Sequence, residues 1–82
     1  MVDKIPVRDM ARSLGPKAVG QPITRPTESV PVQAWITDAR GRDVLVTGEA
    51  VAWSPRAGYV HYADEHGREG YVWVWASAIT RR

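Results

Sequence analysis

Five consecutive residues, Tyr71-Val72-Trp73-Val74-Trp75, restrict the fold of this chain more than any other stretch. In a β-strand successive side chains point to opposite faces, so Tyr71, Trp73 and Trp75 share one side and Val72 and Val74 the other. Aromatic and β-branched residues at every position suit a pleated strand and little else. An apolar run with no polar face predicts a strand covered on both sides.

The rest of the chain must supply that cover from 82 residues, the size of one small domain. With no cysteine, neither disulfides nor thiolate metal sites can supplement the core. Eleven Val and ten Ala stand against two Leu and no Phe, which favours strands over helices. Abundant Arg and Ala, rare Lys and no Asn have the look of high-GC bacterial coding sequence.

From Val30 onward the pattern has period two. Val32, Ala34 and Ile36 alternate with Gln33, Trp35 and Thr37, predicting a first strand over 30–37. Asp38–Asp43 is a polar turn around Gly41, after which 44–47 and 49–54 read as one long strand with a bulge or bend at Gly48. Ser54-Pro55-Arg56-Ala57-Gly58 closes it, and 59–63 and 69–76 form a hairpin about Asp64–Gly67, with Gly67 where a positive φ is needed. Ala76–Ala78 suits a single 3₁₀ turn and Ile79–Arg82 a final short strand.

Residues 1–29 are different. They carry four of the six prolines and read as an N-terminal arm, with 15–30 an extended linker. Val7, Met10, Ala11 and Leu14 make one apolar stripe, predicting a two-turn helix over 7–14, started by Pro6 and stopped by Gly15-Pro16. Its wording is similar to the first helix of a helix-turn-helix domain. No recognition helix follows, since Pro16, Gly20, Pro22 and Pro26 intervene.

The order of strand, turn, long bent strand, two hairpin strands, 3₁₀ turn and last strand resembles the SH3-like and Tudor-like small barrels over residues 30–82. The expected fold is therefore an all-β, SH3-like barrel of about five strands with a Pro-rich arm. An OB-like barrel competes, but about fifty residues without an intervening helix are tight for it. The resemblance implies binding of peptides, modified residues or nucleic acid rather than catalysis.

Two arrangements of the aromatic residues remain open. The tryptophans form the core and the arm covers the valines, or the valines point inward with Val32, Ala34 and Ile36. In the second case Trp35, Tyr71, Trp73 and Trp75 form an exposed stripe that would bind a protein partner or a second copy. A basic set, Arg8, Arg12, Lys17, Arg81 and Arg82, offers phosphate contacts for a weak nucleic-acid interaction. The first thirty residues carry the entire net charge of +2, while 31–82 balance six arginines against six acids. His61, Asp64, Glu65 and His66 lie close in sequence, as a polar hairpin tip does by default, and no metal site is assigned to them. Ser54 and Ser77 have no base nearby in sequence to form a nucleophilic pair. The expectation is a non-enzymatic, cofactor-free binding module. No apolar run approaches the roughly 18 residues of a membrane helix, nor does the N-terminus carry a secretory apolar stretch, so a soluble cytoplasmic protein is expected.

Overall fold

Each period-two segment becomes a strand of one antiparallel sheet. The computed structural model describes residues 11–63 and 67–82. A helical turn, α1 (Pro16–Val19), precedes β1 (Val30–Thr37), β2 (Asp43–Trp53), β3 (Ala57–Ala63) and β4 (Glu69–Trp75). A 3₁₀ turn (Ala76–Ala78) leads to β5 (Ile79–Arg81). The strands lie in the order β4-β3-β2-β1-β5, all neighbours antiparallel, and the ladder does not close between β4 and β5.

The β1–β2 turn is organised by Asp38, whose Oδ1 accepts the amides of Arg40 and Arg42, both at 2.9 Å. Gly41 completes the turn at φ +83°, a left-handed conformation that costs glycine little. In the β3–β4 turn Gly67 has φ +78°. Gly48 is not the bulge. The register slips between Ala50 and Ala52, whereas Gly48 is paired on both sides, with Val32 and with Tyr62. A Cβ at Gly48 would collide with the carbonyl oxygen of His61, so glycine is there for the close approach of β2 and β3.

The inner face holds small β-branched side chains. Val32, Ala34 and Ile36 of β1, Val46 and Ala50 of β2, Val60 of β3 and Val72 and Val74 of β4 form one buried cluster. Val60 and Val72 are fully enclosed. Each such valine contributes about 1.5–3 kcal/mol by leaving water.

The arm departs most from expectation. Residues 7–10 of the expected helix lie outside the described residues, and 11–14 are not helical. The Arg12 amide donates to Thr37 O at 2.8 Å, the Leu14 amide to Trp73 O at 3.0 Å, and Trp73 N–H donates to Ser13 Oγ at 2.8 Å. Two helical turns are unstable alone, while the Thr37 end of β1, beyond its pairing with β5, and the edge of β4 offer backbone groups to pair, so the extended form wins at 11–14. Residues 12–14 thereby bond to β1 at one end and β4 at the other.

Helix begins where a stop was expected. Pro16 takes the first helical position, where its fixed φ fits and its missing N–H is no loss, and Gly20 ends the turn at φ +72° with its amide on Pro16 O. Val19 is buried. The Ser54 hydroxyl donates to Val19 O at 2.7 Å and accepts the amides of Arg56 and Ala57. Further on, Thr24 and Trp53 exchange two backbone bonds of 2.7 and 2.9 Å. The stretch expected as a linker is thus held to the sheet at Val19 and at Thr24.

Candidate binding surface

Alternation puts the aromatic residues outside. Because Val72 and Val74 fill the inner face, Tyr71, Trp73 and Trp75 stand on the outer one. Tyr71 is 53% exposed, Trp75 47% and Trp35 53%, while Trp73 is half-buried. Of the two arrangements open from sequence, the structure has the valines inside. Among the described residues of the arm, Ala11 packs against that inner cluster. Leu14 pairs with the edge of β4.

The β3–β4 register assembles the rings. Tyr59 lies opposite Trp73 and His61 opposite Tyr71. Tyr59 stacks on Trp73 (4.9 Å between centroids) and on Tyr71 (5.5 Å), and Tyr71 stacks on His61 (4.6 Å). The planes are within 27° of one another, giving a zigzag row His61–Tyr71–Tyr59–Trp73 along the hairpin. Trp75 occupies the next outward position on β4. Sequence reasoning omitted Tyr59 and His61 from the surface, although the Tyr59-Val60-His61 alternation, once paired with 71–75, requires them there.

Trp35 does not join this row. It faces the exposed Leu45 across β1 and β2 and has no ring contact among the described residues. The structure therefore unites Tyr71 and Trp73, places Trp75 beside them, and leaves Trp35 on the β1–β2 hairpin.

The basic set does not converge either. Arg8 lies outside the described residues. Arg12 sits at the Thr37 end of β1, Arg81 is opposite Val32 near the other end, and Arg82 donates its amide to Pro31 O. Five residues of strand separate Thr37 from Val32, about 17 Å at the usual rise. Lys17 is exposed on α1, on another element again. Among the described residues of the set, Arg12 and Arg81 thus lie toward opposite ends of β1.

Charge on the outer face has its own pattern. His61 Nε2 and Glu69 Oε1 are hydrogen-bonded at 2.8 Å, and Glu49 lies opposite His61 on β2. Asp64, Glu65 and His66 lie outside the described residues. At the β1–β2 turn the Asp38 carboxyl is held below its usual value by the Arg42 amide above all; desolvation opposes this, and the Arg40 amide and the Arg42 guanidinium add to the lowering. The Ser54 hydroxyl, committed to Val19 O and two amides, is a structural group.

Two concavities flank the sheet. An open cleft between the β1–β2 and β3–β4 turns, about 790 Å³, mixes Asp38, Asp43, Arg40, Arg42 and Arg68, with Arg42 and Asp38 paired at 3.1 Å. A shallow apolar pocket of about 280 Å³ lies beneath β5, lined by Val30, Trp53 and Ile79 with Arg81 beside it. Among the described residues no helix is long and apolar enough to cross a membrane. No family model, no curated protein and no solved structure matches this chain.

Proposed function

We propose that this chain is a non-enzymatic binding module of SH3-like architecture whose outer aromatic face takes a protein partner. One observation carries the reading: valine, isoleucine and alanine complete the core, yet Tyr71 and Trp75 remain about half exposed beside a stacked row of rings. Large aromatic residues that the core does not need, gathered on one surface, are the usual composition of a contact site. The strand order, the long β2 shared by both neighbours and the 3₁₀ turn before β5 support the SH3-like reading. The dispersal of Arg12, Lys17, Arg81 and Arg82 favours a protein over a nucleic acid.

The test is affinity capture from nuclease-treated host extract with the wild type and with Trp75→Ala. The reading expects proteins retained by the wild type and lost by the variant. Capture that disappears with nuclease, or that Trp75→Ala leaves unchanged, would overturn it. Sedimentation of the pure protein over a range of concentrations distinguishes a foreign partner from a second copy on the same face. A mass that doubles with concentration in the wild type but not in Trp75→Ala favours self-association.

A further inference from the structure

We infer that the aromatic face recognises a basic segment of its partner, an extended stretch carrying arginine; this rests on the protein-binding reading above and names the chemistry of the ligand. The end of the face beside the ring row carries two carboxylates, Glu49 and Glu69, although the chain as a whole has a net charge of +2. Outward strand positions follow from the register, since residues paired across the ladder share a face. On β2, β3 and β4 the ionisable side chains at those positions are Asp43, Glu49, Glu69 and the two tyrosines, Tyr59 and Tyr71, with His61, and Arg12 of the arm shares the Asp43 end of the face through its bridge to Thr37. Arg40, Arg42, Arg56 and Arg68 lie between strands, and Arg82 at the C-terminal end donates its amide to Pro31 O. Arg81 shares the inner side with Val32. Arg82, just past β5, spends its guanidinium on Gly48 O at 3.3 Å.

Position sharpens the case. Glu49 and Glu69 both flank His61 at one end of the ring row. Glu69 has one oxygen on His61, and the half-buried Glu49 has no side-chain partner among the described residues. A carboxylate beside aromatic rings suits arginine better than lysine. The planar guanidinium stacks on a ring and gives two parallel hydrogen bonds to a carboxylate. An anionic ligand at this end of the row would meet the Glu49 and Glu69 carboxylates.

The backbone of β4 explains why the segment is extended. Trp73 directs its N–H and C=O away from β3, to Ser13 and Leu14, so this edge already accepts an extended chain. By the period of two, Tyr71 presents its N–H and C=O to the same edge. An added strand there would run beside the ring row with alternate side chains over it.

The experiment titrates the full chain with three probes: an eight-residue peptide alternating Arg and Thr, its Glu-Thr counterpart, and a labelled DNA duplex. Backbone amide shifts locate the site. The Arg-Thr peptide is expected to bind and shift Tyr59, His61 and Tyr71, and to lose about tenfold in affinity in Glu49→Gln/Glu69→Gln. Near-isosteric glutamines keep the fold, which a thermal melt of that variant checks. The inference is overturned by any of four results: no binding of the Arg-Thr peptide, equal binding of the Glu-Thr peptide or the duplex, shifts confined to the Asp38–Asp43 turn, or unchanged affinity in the double variant. If the captured partner is lost with Trp75→Ala but held equally by the double glutamine variant, the surface stands and only the basic-ligand inference falls.

Discussion

The amide of Leu14 donates to the carbonyl of Trp73, 3.0 Å away, and joins the arm to the outer edge of β4. Two residues earlier Arg12 bonds to Thr37 on β1, so three residues bridge from one strand to the other across the side where the ladder is open. Val19 and Thr24 then add a buried side chain and two backbone bonds. The arm is thereby part of the folded unit it leads into.

Deleting residues 1–28 should therefore destabilise the remainder severely. Burial of Val19 contributes about 1.5–3 kcal/mol, and each lost backbone bond about 0.5–1.5 kcal/mol net. Those losses rival the whole stability of a domain this size, roughly 4–12 kcal/mol at the usual value per residue. The expected result is loss of the cooperative melt by circular dichroism. A truncated chain that melts as cooperatively as the full one would show the arm to be a mere tether.

The strands were legible in the sequence because alternation and Gly/Pro punctuation are local signals. Val30–Thr37 and the Ala76–Ala78 turn appear where residue pattern alone puts them. The arm was not legible, since what orders Leu14 is an edge carbonyl at Trp73, far along the chain. At 11–14 the helical pattern does not compete with that partner, and nothing local announces it. The bulge was misplaced for a related reason: Gly48 marks a close approach to His61, a tertiary fact that a glycine in a strand signals without specifying. The orientation of 71–75 was ambiguous because both faces of that strand are apolar. The hydrophilic companions of Trp35, Gln33 and Thr37, were the available clue, and the structure has them outside with it.

Glycine positions supply a paired prediction. Gly48→Ala would drive a methyl into the His61 carbonyl between two paired strands, and backbone cannot yield as a side-chain tip can. Overpacking of this kind costs about 1–3 kcal/mol. Gly15→Ala meets no atom within 4 Å, and its φ of −79° suits alanine. That change should be neutral or stabilise by up to about 1 kcal/mol through the unfolded chain. Urea unfolding of both variants checks the contrast, and equal midpoints would refute the close-approach account of Gly48.

Asp38 gives a pH prediction whose sign is fixed by the direction of its shift. Its folded-state pKa lies below the unfolded value, because the Arg42 amide, the Arg40 amide and the Arg42 guanidinium favour the carboxylate. The turn is therefore supported above the usual aspartate pKa, and that support is lost as pH falls through the depressed value. A carbon-detected titration of the Asp38 carboxyl should show a midpoint below that of a model peptide. Arg42→Ala should raise it only in part, since both amides remain. A midpoint at or above the peptide value would contradict the hydrogen bonding described for the turn.

Trp73 and Trp75 separate stability from binding on a single strand. Trp73 is half-buried and stacked on Tyr59, so Trp73→Ala removes a ring contact of about 0.5–1.5 kcal/mol together with part of its buried area. The expected cost is about 1–3 kcal/mol, below the 3–5 kcal/mol typical of a tryptophan lost from a core. Trp75 is nearly half exposed and makes no ring contact among the described residues, so Trp75→Ala should change stability by about 0.5 kcal/mol or less. Its effect should instead appear in partner capture, which the Proposed function requires it to abolish. Thermal melts and capture on the same two variants give the discriminating pair of readouts. If Trp75→Ala unfolds the protein as Trp73→Ala weakens it, the outer face is structural and the valine side alone does not complete the core.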